Sequence, residues 1–241
     1  MKRSFRILMM CLAIFCSFSL LSGVAGAADK PLSLEFGHIQ NPGHSLAIAP
    51  EEFKAMVEER SNGRVVVNIY PSSQLGTARE MMEQVSMGTL DMTCCDTADW
   101  ASALNIPKLA VFNLPFLTKN LATQATLIRT IVPEEVPAMI EGAGVRLLMT
   151  YSNGIRQPLL KHKPLNSLDD IKGLKMRTAE TAMYVDLWNA IGASTVTSAW
   201  SEAYTLLQQG VADALEADVT GLVNQNMQEV GKYLSKIGHL G

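Results

Sequence analysis

The chain has 241 residues, 20 of them Lys or Arg and 23 Asp or Glu, for a formal charge of −3, and 48% of it is hydrophobic. A length of this order buries a core sufficient for one large or two small domains. With no basic cluster and an acidic balance, a nucleic-acid partner is not expected.

Residues 1–27 read as a secretory signal peptide. Lys2, Arg3 and Arg6 form the positive start, Ile7 to Leu21 an apolar run, and Ala25 and Ala27 the −3 and −1 positions of a cleavage site. The apolar run is shorter than the ~20 residues of a spanning helix. Setting those three cations aside leaves 17 basic against 23 acidic side chains, or −6, in a mature chain from Ala28 to Gly241. No second long apolar run follows, so the cleaved protein is expected to be exported and soluble, not an integral membrane protein. Cys94 and Cys95 are adjacent, a spacing unsuited to a disulfide in a strand, and read as two small buried thiols. Stability then falls to the core.

In chain order, "LSLEFGHI" predicts a strand and "APEEFKAMVEERSNG" a helix with Phe53, Met56 and Val57 on one face. "RVVVNIYP" is a strand, "TAREMMEQVSMG" a helix closed by Gly88, and "LDMTCCD" the next strand. A proline-marked packed loop at "NIPKLAVFNLPFLTKN" leads into two helical stretches. "VRLLMTYSNG" is then expected as a strand ending at Asn153-Gly154. After the less regular "IRQPLLKHKPL" and a short capped turn at "NSLDDIKG", "GLKMRT" alternates Leu174 and Met176 with Lys175 and Arg177 as a strand. "AMYVDLWNAIG" is a helix, "ASTVTSAW" extended, "SEAYTLLQQG" a helix closed by Gly210, and "VADALEAD" a strand.

This strand–helix–strand order occurs twice, in register at an offset of 122 residues: Glu80 with Glu202, Gly88 with Gly210, Asp91 with Asp213, Asp96 with Asp218. Duplication of one α/β unit explains the match. The expected shape is two α/β lobes, each a mainly parallel sheet flanked by helices, with a ligand cleft between them. The boundary falls at Asn153, with residues 28–153 as lobe 1 and 154–241 as lobe 2.

No hydrolase elbow G-x-S-x-G, phosphate-cradling loop or H-E-x-x-H is present, and His38, His44, His162 and His239 show no metal spacing. No cofactor and no metal are expected. The strand ends are more informative: Arg156 past the boundary, Arg177, Asp96, Glu216 and Asp218, with Trp200 before a helix. Two guanidiniums at a crevice suit a carboxylate, which a planar fork binds through two parallel hydrogen bonds. Each has a structural alternative. Arg177 could pair with Asp169, Asp170 or Glu180; Arg156 could be a loop residue; Trp200 could belong to the core; Asp99 and Glu180 could be solvated.

"SNGRVVVNIYPSSQLGTAREMMEQVSMGTLDMT", "FNLPFL", "NGIR", "LDDIKGLKMRT" and "EAYTLLQQGVADALE", in that order, resemble the extracytoplasmic solute receptors of TRAP transporters, the DctP-like family. The resemblance covers residues 30 to 240. It implies a type II-like two-lobed periplasmic binding protein that closes on an organic acid and delivers it to the TRAP membrane permease subunits, without catalysis. Arg177 would bind the ligand carboxylate, Arg156 support it and Trp200 wall the cleft. Glu216, Ala217, Asp218, Asp96, His44 and Asn153 complete the expected ligand-binding set. Two departures stand out. Ala217 and Asp218 replace an Asn-Pro pair common in relatives, which points to a ligand carrying a hydroxyl or ammonium group beside its acid. The chain also stops about where relatives return to lobe 1, so that the return segment is expected to be missing. An exported α/β enzyme with Asp96 or Glu216 as general base, and a ligand sensor for a signalling receptor, are the competing readings.

Overall fold

The computed structural model describes residues 30–239, so the expected signal peptide lies outside the described residues. β1 (Leu32–Gly37) leads into α1 (Ser45–Arg60), β2 (Val65–Tyr70), α2 (Ala78–Met87), β3 (Met92–Thr93) and α3 (Thr97–Ala103). The three strands form one sheet in the order β2-β1-β3, with β1 and β3 parallel. Phe53 and Val57 of α1 pack on Phe36, Val67 and Met92. Met56 does not join them and is 45% exposed. At 100° per residue it lies well round the helix from Val57, beyond the apolar stripe.

Two further expectations need correction. The strand expected through Cys94-Cys95 is only Met92–Thr93, because its partner β1 ends opposite Thr93. The two thiols are free, half-buried and beyond the strand. Burial pushes Cys94 up to about 11 and Cys95 also well up, so both are protonated and inert at neutral pH. Residues 145–153, expected as a strand, pair with no strand among the described residues. They are held instead by helix contacts: the Thr150 hydroxyl donates to the Ile128 carbonyl at 2.6 Å, and Ser152 bonds the Gln124 side chain. A cavity of about 580 Å³, lined by Phe36, Met92, Phe112 and residues 144–153, lies beside this segment. Its helical wall is α4 (Leu121–Thr126), one wider turn at Leu127–Ile131, and α5 (Val132–Met139).

The second sheet contains β4 (Arg156–Leu160), β5 (Lys175–Thr178), β6 (Ser194–Thr197), β7 (Ala214–Asp218) and β8 (Tyr233–Leu234) in the order β6-β5-β7-β4-β8. β6, β5 and β7 run parallel, whereas β4 is antiparallel to β7 and to β8. β4 carries Pro158, which hides it from pattern reading. The proline is tolerated because its N side faces the very short β8, where its carbonyl accepts from Ser235 N–H at 3.0 Å. α6 (Ala182–Ala190), α7 (Ala203–Gln209) and α8 (Val219–Asn224) cover the sheet. Leu160, Met176, Trp188 and Ala214 pack on one face, and Leu159, Leu207, Leu215 and Ala217 on the other. Among the described residues no helix is long and apolar enough to cross a membrane.

The internal repeat is visible in backbone detail. Gly88 and Gly210 cap α2 and α7 with φ of 74° and 75°. Asp91 then accepts from Glu35 N–H at 2.8 Å, and Asp213 from Lys175 N–H at 3.3 Å. Asp96 and Asp218 begin the helices that follow, with φ of −64° and −65°. Because a left-handed backbone favours glycine, Gly88→Ala and Gly210→Ala are each expected to cost about 1 kcal/mol in urea denaturation. A loss near zero at both sites would contradict the shared cap.

Candidate functional site

A cavity of about 100 Å³ opens between the two sheets, lined from the first by Asp96, Asp99 and Asn153 and from the second by Arg156, Arg177, Trp200, Ala217 and Asp218. The strand ends deliver these side chains. In β5, period two sends Met176 into the core and turns Arg177 to the other face. The equivalent register position in β1 is Gly37, opposite Thr93 as Arg177 is opposite Leu215. Only the second copy of the unit therefore carries the guanidinium.

Arg177 is 1% exposed. Its Nε donates to Ser198 Oγ at 3.1 Å and its Nη2 to the Ser198 carbonyl, while the guanidinium lies over the Trp200 ring at 5.6 Å. None of the expected structural partners reaches it: Asp170 pairs with Lys163, Asp169 with Lys172, and Glu180 is exposed. Among the described residues no carboxylate forms an ion pair with Arg177, and its Nη1 makes no hydrogen bond. Burial pulls its pKa down to about 10, which still leaves it charged at neutral pH. A buried charge without a counter-ion is costly, and an anion in the cavity relieves that cost.

Arg156 is differently placed. Nε and Nη2 grip the Glu216 carboxylate through both of its oxygens, and Nη2 also donates to the Glu216 carbonyl at 3.0 Å. Asp96 lies 3.7 Å from Nη1, and Tyr184 stacks beneath the guanidinium at 5.2 Å. Glu216, with no exposed surface, stands behind the cavity wall. Burial alone would push its carboxyl up, but the charge of Arg156, with help from His239 at 3.6 Å, holds it down to about 2. His44 is also behind the wall. It caps α1 by accepting from Leu46 N–H at 3.0 Å, and its Nε2 lies 3.6 Å from Asp218 Oδ1. Asp218 in turn caps α8 through Gly221 N–H at 2.8 Å. Ala217 lines the cavity, and Trp200 serves both as its wall and as a neighbour of the lobe core.

Sequence reasoning missed Asp99, Thr181, Tyr184 and Ser198. Asp99 is half-buried rather than solvated, accepting from the Thr181 hydroxyl, and Tyr184 donates to Asp96 Oδ2 at 3.2 Å. Both bonds join the first lobe to the second. The i, i+3 spacing of Asp96 and Asp99 on adjacent turns was the available signal. Burial, then the neighbouring Asp96 charge, lifts Asp99 to about 6; burial also raises Asp96, with Arg156 opposing.

These shifts set opposite pH slopes. Asp99 in the folded chain holds its proton from 3.8 to about 6, so its contribution to stability falls as pH rises across that window. Glu216 contributes fully above 4.5, and that contribution is lost as pH falls toward about 2. Asp99→Asn is expected to flatten the decline between pH 4 and 6 in denaturant titrations, leaving the acid-side loss intact. An unchanged profile would remove Asp99 as its source.

Residues 36–241 match the family described as DctP, bacterial extracellular solute-binding protein, family 7. The chain belongs to that family. Among DctP relatives, protein y4mM of Sinorhizobium fredii is 32% identical over 86% of this chain and 38% of its own length. The C4-dicarboxylate-binding periplasmic protein DctP of Rhodobacter capsulatus is 30% identical over 89% of this chain and 65% of its own. The crystal structure of a TRAP periplasmic solute binding protein from Ochrobacterium anthropi, with bound L-fuconate, superposes with a TM-score of 0.79 at 32% identity. That match covers 88% of this chain and 69% of the other. The two-lobed α/β architecture is therefore that of a periplasmic binding protein. The chain spans only 38% and 65% of the length of the two curated relatives.

Proposed function

We propose that the chain is the solute-capturing part of a periplasmic receptor that binds a small organic acid and passes it to a TRAP membrane permease. The observation that carries this reading is Arg177: 1% exposed, charged, without a carboxylate partner among the described residues, and lining the cavity between the lobes. The ligand carboxylate pairs with the free side of its guanidinium, and Trp200 covers the fork. Ser198 fixes the fork's plane, which makes the contact directional rather than a diffuse attraction. Arg156 acts as a positioning residue, anchored by Glu216 and held toward Asp96. His44 does the same for Asp218, and Asn153 borders the cavity at the boundary between residues 28–153 and 154–241.

Membership of the DctP family supports the receptor role and a periplasmic setting. The relatives' own ligands, a C4-dicarboxylate and L-fuconate, share a carboxylate, the group Arg177 is arranged to hold. Closure brings Asp99 to Thr181 and Asp96 to Tyr184, and a ligand shifts the balance only through contacts better made when the lobes are together. The reading is that of a receptor, in keeping with membership of a solute-binding family: among the described residues Glu216 neutralises Arg156, while Arg177 is left for the ligand.

Isothermal titration against a panel of organic acids, followed by mass spectrometry of the recovered ligand, tests this. Saturable one-to-one binding with the acid returned unaltered is expected. A chemically altered acid after incubation would replace the receptor with an enzyme.

A further inference from the structure

We propose that Asp99 and Ser102 of α3 form a closure latch, completing from the first lobe the N-terminus of α6 that the second lobe leaves uncapped. This rests on the receptor reading, in which the lobes close on a ligand, and it names what holds them together.

The first amides of a helix have no partner within it and need an acceptor from elsewhere. Four helices supply their own: α1 through His44, α2 through Thr77, α4 through Asn120 and α8 through Asp218. α6 does not. Thr181 stands at its N-cap position, 2% exposed, but makes no side-chain cap and gives its hydroxyl proton to Asp99 Oδ1 instead. The acceptor for the first amide, Ala182 N–H, is Ser102 Oγ at 3.4 Å. Both acceptors belong to α3, where the i, i+3 spacing sets them on one face. Ser102 donates its own proton to the Ala98 carbonyl at 3.3 Å, which leaves its lone pairs to accept from α6. The Asp99 carboxylate also sits where the dipole of α6 favours negative charge.

An apolar seam accompanies these bonds. Ala98 of α3 and Tyr184 of α6 are each 1% exposed, with Ala110 from the first lobe and Met183 and Leu187 of α6 packed around them. The Tyr184 hydroxyl extends the seam to Asp96 Oδ2 at 3.2 Å. All these contacts cross from one lobe to the other, so opening breaks them together. It uncovers the seam and returns the Ala182 amide to water. Such a latch stabilises the closed form alone, as a shift in the closure equilibrium requires. A ligand that needs the closed form then binds more tightly in proportion to the closed population. The latch therefore acts on affinity through closure, apart from any contact with the ligand.

Amide hydrogen exchange of the unaltered chain, followed by NMR at Ala182, tests the latch, first without ligand and then with L-fuconate or succinate in excess. Protection of the Ala182 amide is expected, and Ser102→Ala should speed its exchange by about fivefold, the effect of losing one cap of typical strength. Small-angle scattering of ligand-free Ser102→Ala and Asp99→Ala should give a larger mean radius of gyration than the unaltered chain. Asn120→Ala, which removes a cap lying within the first lobe, should leave both readings unchanged. An unprotected Ala182 amide in every state of the unaltered chain, exchange unchanged by Ser102→Ala, or a radius unchanged in both variants overturns the latch. Failure of every acid to bind overturns the receptor reading instead, and the ligand-free exchange then still decides the contact between α3 and α6. If Asp99→Ala does not fold, Ser102→Ala against the unaltered chain decides.

Discussion

Arg177→Ala is expected to weaken binding of the acid by about a hundredfold or more, and Arg177→Lys by nearly as much. Truncating one partner of a desolvated charge pair costs about 2–5 kcal/mol, and lysine restores charge without the planar fork. Ser198 already occupies Nε and Nη2, so the orientation of the remaining edge depends on the guanidinium shape itself. Without ligand the sign reverses. The empty site buries an uncompensated cation, so Arg177→Met should leave the thermal midpoint of the ligand-free chain unchanged or raised. Calorimetric titration and thermal melts of the same variants check both halves. Wild-type affinity in Ala and Lys variants alike would remove Arg177 from recognition.

The second large effect is on stability. Glu216→Ala strands Arg156 in a site where it is 9% exposed, with Asp96 at 3.7 Å as its remaining anion. Breaking a buried pair from one side costs about 3–5 kcal/mol, a large share of a domain's total. Replacing both partners, as in Arg156→Leu with Glu216→Leu, should cost much less than the sum of the single changes, because no charge is then left buried alone. A double-mutant cycle in urea gives the coupling directly. Additive losses would mean that the two groups do not act as a pair. On the proposed reading the contrast between the arginines is thermodynamic: Arg156 is held by Glu216, and Arg177 would be held for a ligand.

Much of this was legible in the sequence because local rules and the tertiary fold agree. The offset of 122 residues between Gly88-Asp91-Asp96 and Gly210-Asp213-Asp218 marks the same helix cap, strand entry and helix start in both units. Alternation in "GLKMRT" placed Arg177 off the core face of β5. What failed depended on partners distant in sequence. A strand exists only where another pairs with it, so residues 145–153 and Cys94-Cys95, strand-like in composition, are not strands here, while proline-bearing β4 is one. Arg156 and Asp99 could not be ranked for the same reason: Glu216, 60 residues after Arg156, and Thr181, 82 after Asp99, decide their environments.

The most direct measurement is calorimetric titration of the unaltered chain with the tightest-binding acid of the panel and with its primary amide. The two share size, hydroxyls and shape and differ in the charge offered to Arg177. Affinity for the acid should exceed that for the amide by on the order of a hundredfold, and Arg177→Ala should abolish the difference. Equal affinity for acid and amide in the unaltered chain would contradict recognition through a carboxylate.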